Sequence, residues 1–267
     1  MKYDSYKSLL VSKTDGIATV TINRPETLNA ISMDVHSEVE RIWTDIEHDP
    51  EVNVSILTGA GKCFSAGGNI KDMIDRWGTP ESRTMLAALP ERAKRLVTGF
   101  VNTTKPIIAA VNGDAMGLGA TMALLCDISV IAETARIGDT HVRVGLVAGD
   151  GGAVIWPLLI GVNRAKDFIM RGKVVRGKEA TEMGITNYCA PAEEVMAAAV
   201  KIAEDINSVP PLAARWTKVA ANLILKQQLG LVFDASIAYE CMSMNTEDHL
   251  EACKAFAEKR AGSFKGV

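Results

Sequence analysis

His141 and Asp150 stand nine residues apart in a segment, Gly138 to Gly152, that holds five glycines and also carries Arg143. An unperturbed imidazole titrates near pH ~6.5, so a histidine can act as a general base at neutral pH without a large shift. Nine residues exceed one helical turn, but a glycine-rich loop can fold back and let the Asp150 carboxylate fix the imidazole tautomer, as the acid of a catalytic triad does. Such a pair activates water. The plainer uses of the same residues are a loop histidine bonded to backbone and an aspartate capping the next helix. Arg143 has Asp139 and Asp150 as possible partners and stays outside the catalytic set.

Two other glycine-rich turns offer hydrogen-bond donors. The apolar stretch Val52 to Leu57 runs into Thr58–Asn69, with glycines at 59, 61, 67 and 68, and Pro106 to Val111 runs into Asn112–Gly119, with glycines at 113, 117 and 119. A strand ending in a glycine turn that opens a helix presents unpaired backbone N–H groups, and the helix dipole adds positive potential there. One amide from each turn, at Gly68 and at Leu118, would hold a developing oxyanion between them, as an enolate or tetrahedral intermediate of an acyl group requires. Either loop alone is as well explained by glycines that only make turns. Their similar strand contexts favour the paired function. Neither loop has the G-x-x-x-x-G-K-[ST] or G-x-G-x-x-G pattern, which argues against nucleotide hydrolysis and hydride transfer. Met73, Trp77 and Met85 follow the first turn and offer walls for an acyl pocket, although such residues are more often core.

The elements around these segments alternate. Leu9–Lys13 and Ile17–Ile22 flank Asp15-Gly16 as a hairpin, and a helix follows from a Ser32 cap with Val35, Val39, Ile42 and Ile46 on one stripe until Asp49-Pro50 stops it. A charged amphipathic stretch spans Glu81–Asn102, a helix starts at Ala120–Leu125, and Ile128–Ala132 is a further strand. From about Glu193 the pattern is helical over Val195–Ile206, Leu212–Gln228 and Thr246–Lys259. Strand, glycine turn and helix thus occur twice in an α/β core, residues 1–195, ahead of a helical region, residues 196–267.

Composition narrows the class. With 267 residues, 48% of them apolar and 23% charged, the chain can bury one sizeable core. A net charge of −3 attracts neither nucleic acid nor a membrane surface in bulk. No apolar run approaches the ~18 residues of a membrane span and no signal peptide opens the chain, so a cytoplasmic protein is expected. Five scattered cysteines without a C-x-x-C pair argue against a disulfide framework or a zinc site, and no metal or redox cofactor is implied.

Several separated motifs, in order, resemble the enoyl-CoA hydratase/isomerase, or crotonase, superfamily. They are Ile22-Asn23-Arg24-Pro25 with Leu28-Asn29-Ala30, Phe64-Ser65-Ala66-Gly67-Gly68-Asn69-Ile70, Ala110-Val111-Asn112-Gly113, Cys126-Asp127, and Phe256 with Glu258-Lys259-Arg260. The resemblance implies a spiral of ββα units with a helical C-terminal region that builds homotrimers, usually paired as hexamers. It implies an acyl-CoA substrate, with coenzyme A entering only as part of that substrate and the thioester carbonyl between the Gly68 and Leu118 amides. Arg24, Ala66, Asn69 and Ile70 would line the CoA site, and Phe256 and Lys259 would approach the nucleotide from a neighbouring subunit.

The family's hydratases use two glutamates, and the matching positions here are Thr121 and His141. With His141 as base and Asp150 as its orienting partner, the chain is expected to add water to an α,β-unsaturated acyl-CoA. His141-x8-Asp150-Gly151 also resembles the branch typified by oxo-camphor hydrolase, which cleaves β-diketones by a retro-Claisen reaction and to whose helical glutamate Glu240 corresponds. Glu240 has a plainer use as a surface carboxylate. That branch lacks the CoA-type oxyanion loop that Ser65–Gly68 and Gly117–Gly119 keep here, so C–C bond hydrolysis is the alternative. A non-catalytic CoA-binding protein, marked by Thr121, is the third reading.

Overall fold

The computed structural model describes residues 3–267. In chain order the elements are β1 (Leu9–Thr14), β2 (Ile17–Ile22), α1 (Met33–Glu47), β3 (Val54–Gly59), β4 (Cys63–Ser65), α2 (Ile70–Arg76), α3 (Pro80–Asn102), β5 (Ile107–Val111), β6 (Asp114–Met116) and α4 (Leu118–Leu125). There follow β7 (Ile128–Ala132), β8 (Arg136–Gly138), α5 (Gly152–Ile160), α6 (Val162–Arg171), β9 (Val175–Arg176), α7 (Gly177–Glu182), β10 (Tyr188–Ala190), α8 (Val195–Asn207), α9 (Pro211–Ser243) and α10 (Glu247–Glu258).

β1 and β2 pair antiparallel across Asp15 and Gly16, whose φ angles of 49° and 79° suit a two-residue hairpin turn. The remaining strands of the six-stranded sheet, in the order β1-β2-β3-β5-β7-β10, run parallel. Each of β3, β5 and β7 is followed by a three-residue strand in a second sheet, where β4, β6 and β8 are parallel neighbours. A helix then returns the chain. The result is the expected ββα spiral, with three such steps where the sequence pattern marks two.

The sequence expectation misses the third step because residues 139–151 separate β8 from α5, whereas β4 and β6 run through short glycine turns straight into α2 and α4. α4, whose residues are all buried, sits at the centre against β4, β5, β6, α3 and α5. The α1 stripe Val35, Val39, Ile42 and Ile46 is at most 1% exposed, and Trp43 tilts against Phe100 at 4.8 Å. Ser32 caps α1 by accepting from the Val35 amide.

The C-terminal helices belong to the same packing. α8 buries Val195, Ala199 and Ala203 on the large sheet, and α9 packs its Leu229, Phe233 and Ile237 against α3 and α5. Here the structure corrects an expected boundary. α9 continues through Gly230 to Ser243 instead of ending at Gln228. A mid-helix glycine costs about 1 kcal/mol, less than the ~1.5–3 kcal/mol gained by burying a single Phe233 or Ile237 just beyond it.

Candidate active site

The three parallel strands of the small sheet end side by side, and each feeds one part of the site: β4 the Ala66–Asn69 loop, β6 Gly117 and Leu118, β8 the turn that carries Asp139 and His141. Outlets at the carboxyl ends of parallel strands are where open sheets form crevices. Here the crevice is a cavity of about 910 Å³.

The Leu28-Asn29-Ala30 segment laces the first outlet in place. Leu28 and Asn29 take φ of 56° and 55°, and the Asn29 side chain accepts from the Arg24 amide while donating to the carbonyls of Ala60 and Cys63 at 2.9 and 2.7 Å. The Ala66 amide donates to the Leu28 carbonyl and the Ile31 amide to the Gly67 carbonyl. Gly67, at φ 82°, rests on the backbone of Met116, where an added Cβ would lie 2.6 Å from the carbonyl oxygen. That contact joins the first two outlets. Gly68 and Leu118 both line the cavity, and neither amide has an acceptor among the described residues.

A cluster of ionisable side chains occupies the same cavity. His141 is held between two carboxylates: its Nδ1–H donates to Asp139 Oδ1 at 2.8 Å, and its Nε2 faces Asp150 Oδ2 at 3.1 Å. The Thr121 hydroxyl donates to Asp150 Oδ1 at 3.3 Å. Glu240, brought in by the extension of α9, completes the group, and donor atoms of His141, Asp150 and Glu240 lie within 4.8 Å of one another. A cation entering this group would have to displace the proton between His141 and Asp150.

Charge in this cluster follows from burial and neighbours. Burial works against an imidazolium, but the Asp150 and Asp139 carboxylates outweigh it and hold His141 well above its ordinary value. Burial, reinforced by Asp150, pushes the Glu240 carboxyl up to about 8 against the pull of His141. Glu240 Oε2 and Asp139 Oδ2 are buried without a hydrogen-bond partner. This corrects the expectation of an unshifted histidine with a free nitrogen: both ring nitrogens are engaged.

Of the other expected residues, Ala66, Asn69, Ile70 and Phe256 line the cavity, as do Met73, Trp77 and Met85. Asn69 caps α2, its Oδ1 accepting from the Lys71 and Asp72 amides at 3.1 and 3.3 Å. Arg24 and Lys259 do not line the cavity. The Arg24 guanidinium lies 3.9 Å from Glu26, and Lys259 is the left-handed cap of α10. Phe256 lines the cavity of its own chain, where α10 packs on α2 and the His141–Val144 turn. There the buried His249 donates from Nδ1 to the Val144 carbonyl at 2.6 Å. Sequence reasoning passed over Asp139 as a site residue. Its signal was the Asp-x-His spacing beside a glycine.

The chain matches the family model described as enoyl-CoA hydratase/isomerase over residues 12–267. It is 36% identical over 256 residues to the short-chain-enoyl-CoA hydratase of Clostridium acetobutylicum, covering 95% of each chain. It is 33% identical over 261 residues to the crotonyl-CoA hydratase of Syntrophomonas wolfei, covering 97% of this chain and 98% of the relative. The crystal structure of an enoyl-CoA hydratase/isomerase from Mycobacterium paratuberculosis superposes with a TM-score of 0.86 at 34% identity, over 94% of this chain and 99% of that one.

Proposed function

Because the chain belongs to the enoyl-CoA hydratase/isomerase family, we propose that its cleft adds water across the α,β double bond of an acyl-CoA, with Asp150 as base and Glu240 as acid. The family and its relatives make it an acyl-CoA-processing enzyme of the hydratase type. The reading of this cleft is carried by one observation: two unpaired amides, Gly68 and Leu118, line the same cavity as the clustered side chains of His141, Asp150 and Glu240.

The amides take the thioester oxygen and stabilise the charge that grows there as an enolate. Asp150, its Oδ2 held by His141 and its Oδ1 by Thr121, takes a proton from water. The new C–O bond forms at Cβ, and the electrons of the double bond move into the enolate. Glu240, protonated below about 8, then delivers its proton to Cα. Transfer of the proton from Asp150 to Glu240 through solvent restores the starting state. No step calls for a metal or redox cofactor. Met73, Trp77 and Met85 line the acyl side, and Ala66, Asn69, Ile70 and Phe256 take the CoA side.

A second reading is favoured by the union of His141, Asp150 and Glu240, the residues that correspond to the oxo-camphor hydrolase branch. There the same water attacks a β-keto carbonyl, the C–C bond breaks to leave an enolate, and Glu240 protonates its carbon. Turnover of enoyl-CoA and β-keto-CoA panels in H₂¹⁸O, read by mass spectrometry, separates the two. Label in the hydroxyl of one product supports hydration, and label in a carboxylate overturns it in favour of cleavage. Binding without turnover of either panel would favour a non-catalytic CoA-binding protein.

The proposal extends to a homotrimer or hexamer in the cytoplasm. Trp216, Leu223, Ile224 and Leu231 leave an exposed apolar row on α9, which supports assembly, and the five free cysteines suit a reducing compartment. No helix among the described residues is long and apolar enough to cross a membrane.

A further inference from the structure

Behind the cavity wall, just past the end of β8, lies a carboxylate that reaches the cleft only through His141. Asp139 is 1% exposed and does not line the cavity, whereas Thr140 and His141 do. Its Oδ1 accepts from the His141 Nδ1–H at 2.8 Å and lies 3.3 Å from the His141 backbone amide. Its Oδ2 has no hydrogen-bond partner and points at Gly152, the first residue of α5, so closely that an added Cβ would sit 2.1 Å from it. Only glycine leaves room for the carboxylate there. The positive end of the α5 dipole offsets part of the cost of burying its charge.

A neutral imidazole has one N–H and can donate to one carboxylate; only the cation donates from both nitrogens. His141 has a carboxylate oxygen at each nitrogen. The titratable groups around it come from three places: Asp139 on its own turn, Asp150 from the loop before α5, and Glu240 from α9. Thr121 on α4 adds a hydroxyl to Asp150. We propose that Asp139 is a positioning residue that keeps the His141 ring fixed and doubly protonated, so that His141 holds Asp150 in place and does not itself take the proton of water. Metal-binding histidines are oriented by a carboxylate on the far nitrogen in the same way, with losses of about 10–100-fold when it is removed. Here the group so oriented is a proton-bearing cation facing a second carboxylate. The inference rests on the cleft being the proton-handling site.

Nitrogen-15 NMR of the histidine side chains tests it on the whole protein, with His141→Gln used to assign the resonance. Wild type is expected to show both His141 ring nitrogens protonated from pH 6 to 8, a window set around the ordinary value of ~6.5. Asp139→Asn should bring a His141 titration into that window and lower kcat by about 10–100-fold while KM for acyl-CoA changes little. A singly protonated His141 in the wild type at neutral pH would overturn the proposal whether or not Asp139→Asn folds. So would an Asp139→Asn enzyme with unchanged kcat and pH profile. If neither the enoyl nor the β-keto panel turns over, the functional reading of the cleft fails, while the His141 resonance in wild type and in Asp139→Asn still decides whether Asp139 sets the charge of His141.

Discussion

The Gly68–Leu118 half of the cleft is made of backbone, and the Asp139–His141–Asp150–Glu240 half is made of side chains, although both sit at the ends of strands of one small sheet. The backbone half needs little from side-chain chemistry beyond glycines that let two loops touch and an asparagine that ties them down. Its donors are fixed by the fold and carry no titratable proton. The side-chain half has the opposite character, since each group's charge depends on the next and its protons can move. A hydratase-type reaction needs both: a rigid site for charge on oxygen, and mobile protons for carbon and water. Substitutions in the first half should therefore lower the rate at every pH, and substitutions in the second should change the shape of the pH profile.

The largest effect is expected from the acid. Glu240→Gln keeps the shape but cannot release a proton, and should lower kcat by about 10²–10⁴-fold. In wild type, kcat should fall as pH rises through about 8, where Glu240 loses its proton, and the variant's residual rate should lack that limb. A pH–rate series on both proteins checks this, and an unchanged alkaline limb in Glu240→Gln would remove Glu240 from the role of acid.

Next in size is a break in the backbone half. In Gly67→Val the new side chain meets the Met116 carbonyl at a position whose φ of 82° already resists it. The two outlets should part, at a cost of about 10²–10³-fold in kcat, the loss typical of one oxyanion donor. Measured across pH, the curve should drop in parallel with wild type. A change in its shape would mean that the two halves are not separable.

The sequence shows the backbone half far better than the side-chain half. Glycines at 67, 68, 117 and 119 mark tight turns from residue type alone, and the apolar stretches before them mark the strands. By contrast, Asp139 beside His141 looked like a partner for Arg143, because nothing local reveals that Gly152 opens a space behind it. His141 was legible as a cleft residue and Asp150 as its partner, but the second carboxylate on its ring, Asp139, was not foreseen. Glu240 was matched through a resemblance, while the helix that delivers it was expected to end at Gln228. Long-range packing of Phe233 and Ile237 carries that helix on, and residue patterning does not display it.

Stability should divide along the same line. His141 is held above its ordinary value and Glu240 is raised to about 8, so these two groups bind more protons in the folded chain than in the unfolded one from about pH 4.5 upward. Excess native protons make unfolding easier as pH rises. The contributions of both groups are present in full at low pH, that of Glu240 is lost through about 8, and that of His141 persists to higher pH. From pH 5 to 9 the urea midpoint of wild type should therefore fall relative to that of Glu240→Gln.

The smallest expected effect lies where the halves are most alike, at a helix start. Asn69 caps α2 next to the Gly68 amide, and Asn69→Ala removes the acceptor of two backbone N–H groups. Loss of such a cap costs about 1 kcal/mol, seen as a lower urea midpoint with an unchanged slope. Because Asn69 orders the loop but holds no mobile proton, any loss of kcat should be small and equal at pH 6 and pH 8.5. The same pair of pH values applied to Thr121→Ala, whose lost hydroxyl faces Asp150 in the other half, should give unequal losses. Two modest variants with similar overall damage would then differ in one respect, and that respect is the presence of a proton in the group each one disturbs.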